Sequence, residues 1–498
     1  MIERGASIML QAWAEYSGLF IEMARWLKRQ HDCRIHLYVA IDRDVVHYSR
    51  VDDGRLFESV TLAGEILARC LEPQPPRAQV LANALENESW LGTTYNALAL
   101  INRHLGRGFA LGGFHFPRSR LSERTDYWAM LHGFNSEIAF WRREIEEKKP
   151  VLTINLRKYG ALVARNMGIP QRWLALSRHK NFHYWAINEF YETPAFERTY
   201  RHTAEVSPVY IERPYNAHMD LRETFRAQTG FLRTCLRATY TTVQRIGWKL
   251  LGYQKGRNYY LNDQLALMFR RRRQLRRTTG SRVVQLSALT GQRFVYFPLH
   301  AEPEAALQGM SPEYFYQLSC IAALARDLPA GVLLAVKDTY AAVGVRPDNF
   351  YDQIQDFKNV VLLDTMGLGL DVIREAALVA TITGTAGFEA AVMGKPVVSF
   401  GRHNIYNFLP HVRVITDESD LKLALAELLD EKFDRAAAQK SGGRFITAVV
   451  QESFDLGSFD LRRREKIAPE AVDVACRALI GSLKEEPPIR NLWSTSTA

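Results

Sequence analysis

Residues 381–401 read TITGTAGFEAAVMGKPVVSFG, and this stretch decides the fold. It opens on an apolar run and passes through a turn of small and hydroxyl residues. It then enters a short helical period and closes on the β-branched run 397–400. Strand, turn, helix and strand in that order are the unit of a parallel sheet. Working outward, the same alternation starts at Phe294. Candidate strands cover 294–297, 332–336, 360–363, 379–383 and 397–400, with helical segments at 313–326, 370–377 and 388–393. A further helix at 420–429 carries Leu421, Leu423, Leu425 and Leu428. The pattern predicts an α/β domain of Rossmann-like design.

The turn has chemistry of its own. A helix N-terminus exposes unpaired N–H groups with a partial positive charge, and small side chains let a phosphate approach closely. Thr383, Gly384, Thr385, Ala386 and Gly387 fit that description. Glu389, at the start of the helix, is placed to accept from two ribose hydroxyls, as acidic residues do in dinucleotide sites. The bland alternative is a tight strand–helix junction in which Glu389 complements the helix dipole, and spacing does not choose between the two.

In open α/β sheets ligands sit beyond the carboxyl ends of strands. The stretch 296–305, YFPLHAEPEA, runs out of a strand into His300, Glu302 and Glu304. The histidine suits phosphate or hydroxyl groups, and a carboxylate serves as acid or base if its pKa is raised. The alternative is a loop shaped by Pro298 and Pro303 with solvated acids. Lys337, followed by Asp338, Thr339 and Tyr340, reaches the same edge and either meets an anion or is a solvated strand-end lysine. In the first half, RHLGRGFALGGFHFPRSR (103–120) combines Arg107 and His115 with Gly112 and Gly113. It reads as a basic, flexible loop that holds an anionic substrate or covers a cleft. Asp42 and Asp44 follow the strand expected at 35–40, and Asp42 is the candidate base of that half.

The 498 residues are 47% apolar and 24% charged, which suits two or three folded domains and excludes a disordered chain. The longest span free of Asp, Glu, Lys and Arg is 89–102, too short to cross a bilayer. The start fits neither a signal nor a transit peptide, so a cytoplasmic location is expected. Five scattered cysteines, none in a CxxC pair, predict buried thiols and no metal site. No GxSxG, P-loop, HExxH or GxGxxG sequence occurs, which argues against a hydrolase elbow, a P-loop enzyme, a zincin and a dinucleotide oxidoreductase.

The whole chain has 64 Lys and Arg against 54 Asp and Glu, yet 220–282 alone has 15 against 3. The excess peaks at Arg270, Arg271, Arg272, Arg273, Arg276 and Arg277. The run reads either as a solvated helix end and linker or as a patch for the anionic inner leaflet of a membrane. No nucleic-acid-binding motif accompanies it. Earlier in the chain, Met9, Leu10, Trp13, Tyr16, Phe20, Met23 and Leu27 recur at helical spacing and predict a core-facing helix. Runs at 35–40, 151–156 and 172–176 read as strands of a second α/β unit. A helix is expected at 471–483.

At 296–305 and 381–401, together with Tyr406, the chain resembles the capsule polysaccharide biosynthesis proteins, a bacterial surface-carbohydrate family that includes Kdo transferases. The resemblance covers 294–429, with a fainter echo at 103–113. It implies a GT-B architecture, two Rossmann-like domains facing a cleft. The division is an acceptor-side domain at 1–265, a basic linker at 266–290, a nucleotide-sugar-binding domain at 291–465 and a terminal helix and tail at 466–498 that packs back on the first domain. The implied activity is a metal-independent, cofactor-free glycosyltransferase that takes a nucleotide-sugar donor and a glycan or lipid-linked glycan acceptor. Thr383 to Gly387 and Glu389 would then form the donor's phosphate and ribose site, with His300, Glu302 and Glu304 flanking the sugar. One departure stands out. Many relatives carry Lys-Glu-His-Pro after the second strand, where this chain reads Lys337-Asp338-Thr339-Tyr340, so a phosphate-contacting histidine is missing. His403 and Lys395 are the candidates to replace it. The departure also motivates a catalytically silent nucleotide- or glycan-binding scaffold as an alternative, beside a nucleotide-sugar epimerase on the same fold.

Overall fold

A computed structural model describes residues 2–12, 17–52, 56–64, 66–102, 104–105, 116–156, 158–204, 206–212, 222–251, 259–302, 305–457 and 467–484. Six strands from the first half are β1 (Ser7–Gln11), β2 (Arg34–Val39), β3 (Ser59–Leu62), β4 (Leu152–Ile154), β5 (Gln171–Leu176) and β6 (Phe182–Ala186). Six from the second half are β7 (Arg293–Pro298), β8 (Val332–Lys337), β9 (Val360–Leu363), β10 (Leu378–Thr381), β11 (Val397–Ser399) and β12 (Val412–Val414). The last, β13, is Phe454–Asp455. All five strands expected between 294 and 400 are present.

The second sheet runs β12-β11-β10-β7-β8-β9 with every pair parallel. Numbered from β7, that is the doubly wound order 3-2-1-4-5-6. Both faces are covered. Val295 and Phe297 pack into one buried cluster with Leu334, Leu378 and Val398, while Phe294 and Tyr296 pack into another. A strand buried on both faces needs a continuous apolar run, which explains the sequence pattern. The first sheet runs β13-β6-β5-β4-β1-β2-β3, parallel from β5 to β3 and antiparallel at β5/β6 and β6/β13. The chain is thus an α/β protein with two Rossmann-like sheets.

The helical stripe expected over 9–27 divides in two. Met9 and Leu10 lie in β1, whose five residues are all buried, and the helix begins only at Ser17, where Phe20, Met23 and Leu27 face the core. The central position of β1 accounts for this: a strand covered on both sides has no alternation to distinguish it from a helix face. Trp13 and Tyr16 fall outside the described residues.

The chain does not stay with the second sheet. Helix Arg435–Gln451 packs on helix Pro194–His202, and β13 then joins the first sheet beside β6. Helix Pro469–Ser482 lies on helix Ser17–His31. There Trp26 Nε1 donates to Asp473 (3.0 Å) and Trp185 Nε1 donates to the Ala475 carbonyl (2.9 Å). The arginine run forms the end of helix Leu261–Arg277. Asp348 pairs with Arg270 (2.9 Å) and Arg273 (3.0 Å), and the Arg272 guanidinium lies 5.4 Å over the Phe231 ring. Much of this charge is therefore engaged within the molecule. Among the described residues no helix is long and apolar enough to cross a membrane.

Candidate functional site

The order of the second sheet creates the site. From β7 the chain moves to β8 on one side, and from β10 it moves to β11 on the other, so the loops after these adjacent strands diverge. Such a reversal leaves a crevice at the carboxyl ends of the strands. Two segments border it, Leu299 to Glu302 after β7 and Ile382 to Thr385 after β10.

Gly384 makes the turn after β10. Its φ of 108° lies where side chains are strained, and a Cβ there would stand 3.2 Å from His300 Nε2. Helix Thr385–Val392 starts at once, with no side chain capping it. The first-turn amides of an α-helix have no intrahelical acceptor. Gly384, Thr385 and Ala386 are half-buried, so this end of the helix opens to the crevice. Gly387 has no room for a side chain, because a Cβ would meet Tyr406 Oη and come within 2.6 Å of Thr381 Cγ2.

His300 supports the turn. It is buried, and burial pushes its imidazole down to about 4, so the ring is neutral. Gln317 Oε1 accepts from its backbone N–H (2.7 Å) and faces Nδ1 (3.4 Å). Nε2 sits against both backbone groups of Thr383, the N–H at 3.0 Å and the carbonyl. The ring is committed on both nitrogens, so it positions the turn and is not available as a free phosphate ligand.

Glu302 is committed as well. Arg346, fully buried, donates to Glu302 Oε2 and to Asp338 Oδ1 (2.8 Å), and its Nη2 also reaches the His300 carbonyl at 2.6 Å. Tyr351 donates to Asp338 Oδ2 at 2.6 Å. Burial pushes Glu302 up to about 7 against the pull of Arg346. One guanidinium thus ties the loop after β7 to Asp338 after β8. Lys337 Nζ donates to the Thr365 carbonyl at 3.0 Å.

Glu389 is different. It is buried on the helix that begins at the turn, and burial pushes its carboxyl up to about 7, with Arg178 and Arg374 pulling the other way. The Tyr296 phenol, which burial holds well above its usual range, stands near it. Arg178 comes from the first sheet, in the turn between β5 and β6, and donates to the Gly384 carbonyl. It also lies beside Tyr406. Near it, His403 Nδ1 meets Glu192 at 2.8 Å and its ring stacks on Phe190 at 4.4 Å. The carboxyl ends of the two sheets therefore face each other across Gly384.

The structure brings together His300, Glu302, Thr383, Gly384, Thr385, Ala386, Gly387 and Glu389. Asp42 sits apart, exposed on the first turn of helix Asp42–Val51 after β2. Glu304, Arg107, Gly112, Gly113 and His115 lie outside the described residues. His403 is held by Glu192, and Lys395 Nζ donates to the Arg374 (2.5 Å) and Ala376 (2.9 Å) carbonyls, so neither candidate to replace the missing histidine is free for it. Arg178 escaped the sequence reading. Its signal was Ser177-Arg178-His179-Lys180 directly after a strand end, a basic cluster at the edge where ligands bind. Among the described residues no group of three His, Cys, Asp or Glu side chains is placed to hold a metal ion.

No protein-family model and no curated protein matches the sequence. Among solved structures, the chain matches the β-Kdo 2,7-transferase of Thermosulfurimonas dismutans KpsC at 15% identity, over 70% of this chain and 90% of that one, with a TM-score of 0.30. It matches the UDP-GlcNAc 2-epimerase of Neisseria meningitidis bound to UDP-GlcNAc at 8% identity, over 96% and 100%, with a TM-score of 0.27. Anabaena Alr3699/HepE in complex with UDP and glucose matches at 11% identity, over 96% and 99%, with a TM-score of 0.32. At these scores the alignments carry no argument, and the two doubly wound sheets stand on their strand order.

Proposed function

We propose that the crevice between β7 and β10 holds the nucleotide of an activated sugar, and that the chain transfers this sugar to a growing bacterial surface glycan. One observation carries the reading. A half-exposed helix N-terminus behind Gly384 and a buried carboxylate, Glu389, meet at the point where the strand order reverses, and a cation from the other sheet reaches the same turn. The amides of Thr385, Ala386 and Gly387 would take the phosphate, and ionised Glu389 would accept from the ribose hydroxyls. Arg178 supplies the positive charge that relatives draw from the histidine missing here. As the bond to the sugar breaks, charge grows on the phosphate, and fixed donors aimed at it lower the barrier. Neutral His300 and the Arg346 pair keep the turn in place.

Incubation with nucleotide sugars tests this. Nucleotide release that falls in Glu389→Gln and Arg178→Ala supports transfer. Tight binding with no turnover would instead identify a silent scaffold, and an isomerised donor sugar would identify an epimerase.

A further inference from the structure

Helix Phe231–Leu250 carries an apolar stripe on its outer side. Leu232, Leu236, Tyr240, Val243, Ile246 and Leu250 are each 54–82% exposed, and at 3.6 residues per turn they fall on one face. The inner side is occupied: Thr234 is buried, and helix Leu261–Arg277 packs along it. Arg233 and Arg237 flank the stripe on one edge and Lys249 flanks it on the other, all exposed. From Thr224 to Asn262 the sequence has no Asp or Glu.

We infer that this helix lies in the plane of an anionic lipid surface, with the stripe among the acyl chains and the flanking cations at the headgroups. The chemistry selects that occupant. A polyanion such as nucleic acid would meet the cations but leave the apolar centre unused. Two copies pairing stripe to stripe, parallel or antiparallel, would set Arg233, Arg237 and Lys249 against like charges of the second copy, with no acid on the helix to offset the repulsion. The arginine run of the neighbouring helix contributes less than its composition suggests, since Asp348 and Phe231 engage it. This inference stands apart from the donor-site reading.

The test is co-sedimentation of the full chain with vesicles of phosphatidylcholine alone or mixed with phosphatidylglycerol. The chain should pellet with the mixed vesicles, and each of Arg233→Gln, Arg237→Gln and Lys249→Gln should lower partitioning about fivefold. Leu236→Glu with Val243→Glu should lower it at least about tenfold while nucleotide binding is unchanged, since both positions are solvent-exposed in the protein. No binding to mixed vesicles, or equal binding by the double variant, overturns the inference. A wild-type dimer that the double variant dissociates, with vesicle binding unaltered, would show that the stripe is an interface between copies.

Discussion

Replacing Glu389 by Gln keeps the shape of the side chain and removes its charge. In the folded protein burial pushes the carboxyl up from 4.5 to about 7. A group with a raised folded pKa contributes stability that is fully present below the unfolded value and is lost as pH rises through the folded one. At about 1.4 kcal/mol per pH unit, wild type should lose about 3 kcal/mol between pH 4.5 and pH 8 through this one group, and the Gln variant should not. At pH 8 the variant should therefore be the more stable protein. The gain in melting temperature should be roughly 6–12 °C at the ~2–4 °C per kcal/mol typical of domains this size. Glu302 titrates in the same window. The difference between the two proteins, rather than the slope of either, isolates Glu389. Function should move the opposite way. Ribose hydroxyls donate to the ionised form, so nucleotide affinity should rise with pH through about 7 in wild type. The variant should bind about 10- to 150-fold more weakly at pH 8, the loss of a hydrogen bond to a charged group. Thermal melts and calorimetric titrations at pH 5, 6, 7 and 8 measure both effects. Equal melting at pH 8, or unchanged affinity, would refute the reasoning.

Gly384→Ala should cost about 1–3 kcal/mol in a denaturant melt, from a strained φ and the approach to His300, and should weaken nucleotide binding too. Arg178→Ala should leave the melt within about 0.5 kcal/mol and yet lower nucleotide affinity roughly 10- to 150-fold; a large loss of stability with intact affinity would make Arg178 a domain tie only. Arg346→Met strands the Glu302 and Asp338 carboxylates and should cost about 3–5 kcal/mol, whereas Glu302→Gln should fold and turn over normally. Loss of turnover in a folded Glu302→Gln protein would restore the catalytic role the sequence suggested.

The second sheet was legible because its inner strands are buried on both faces and helices separate most of its strands in sequence. Strands such as β8 (VLLAVK) and β10 (LVAT) leave little else to read. The first sheet was harder. β1 looked like helix because a fully buried strand shows no alternation. β3 is only half-buried, β13 is two residues long, and nothing local marks either. The turn and Glu389 could be found because strand, small-residue turn and helix are contiguous. What His300 and Glu302 do could not, since their partners are 17 to 83 residues away in sequence. Arg346 buries a charge without a sequence signal, and Arg178 belongs to the other sheet. Both depend on how separate segments meet, which spacing within a segment does not encode.

The central claim is that peptide amides at the start of helix Thr385–Val392 hold a phosphate. A thermal-shift screen across CMP, UDP, GDP and dTDP should pick out one nucleotide, adding about 2.7 kcal/mol at 100 times its Kd. Hydrogen exchange with that nucleotide at saturation then reads the amides themselves. Exchange should slow in the peptide spanning 383–389, and in the Glu389→Gln protein the nucleotide concentration needed for the same slowing should rise about 10- to 150-fold. Unchanged exchange across 383–389, with protection appearing elsewhere in the chain, would contradict it.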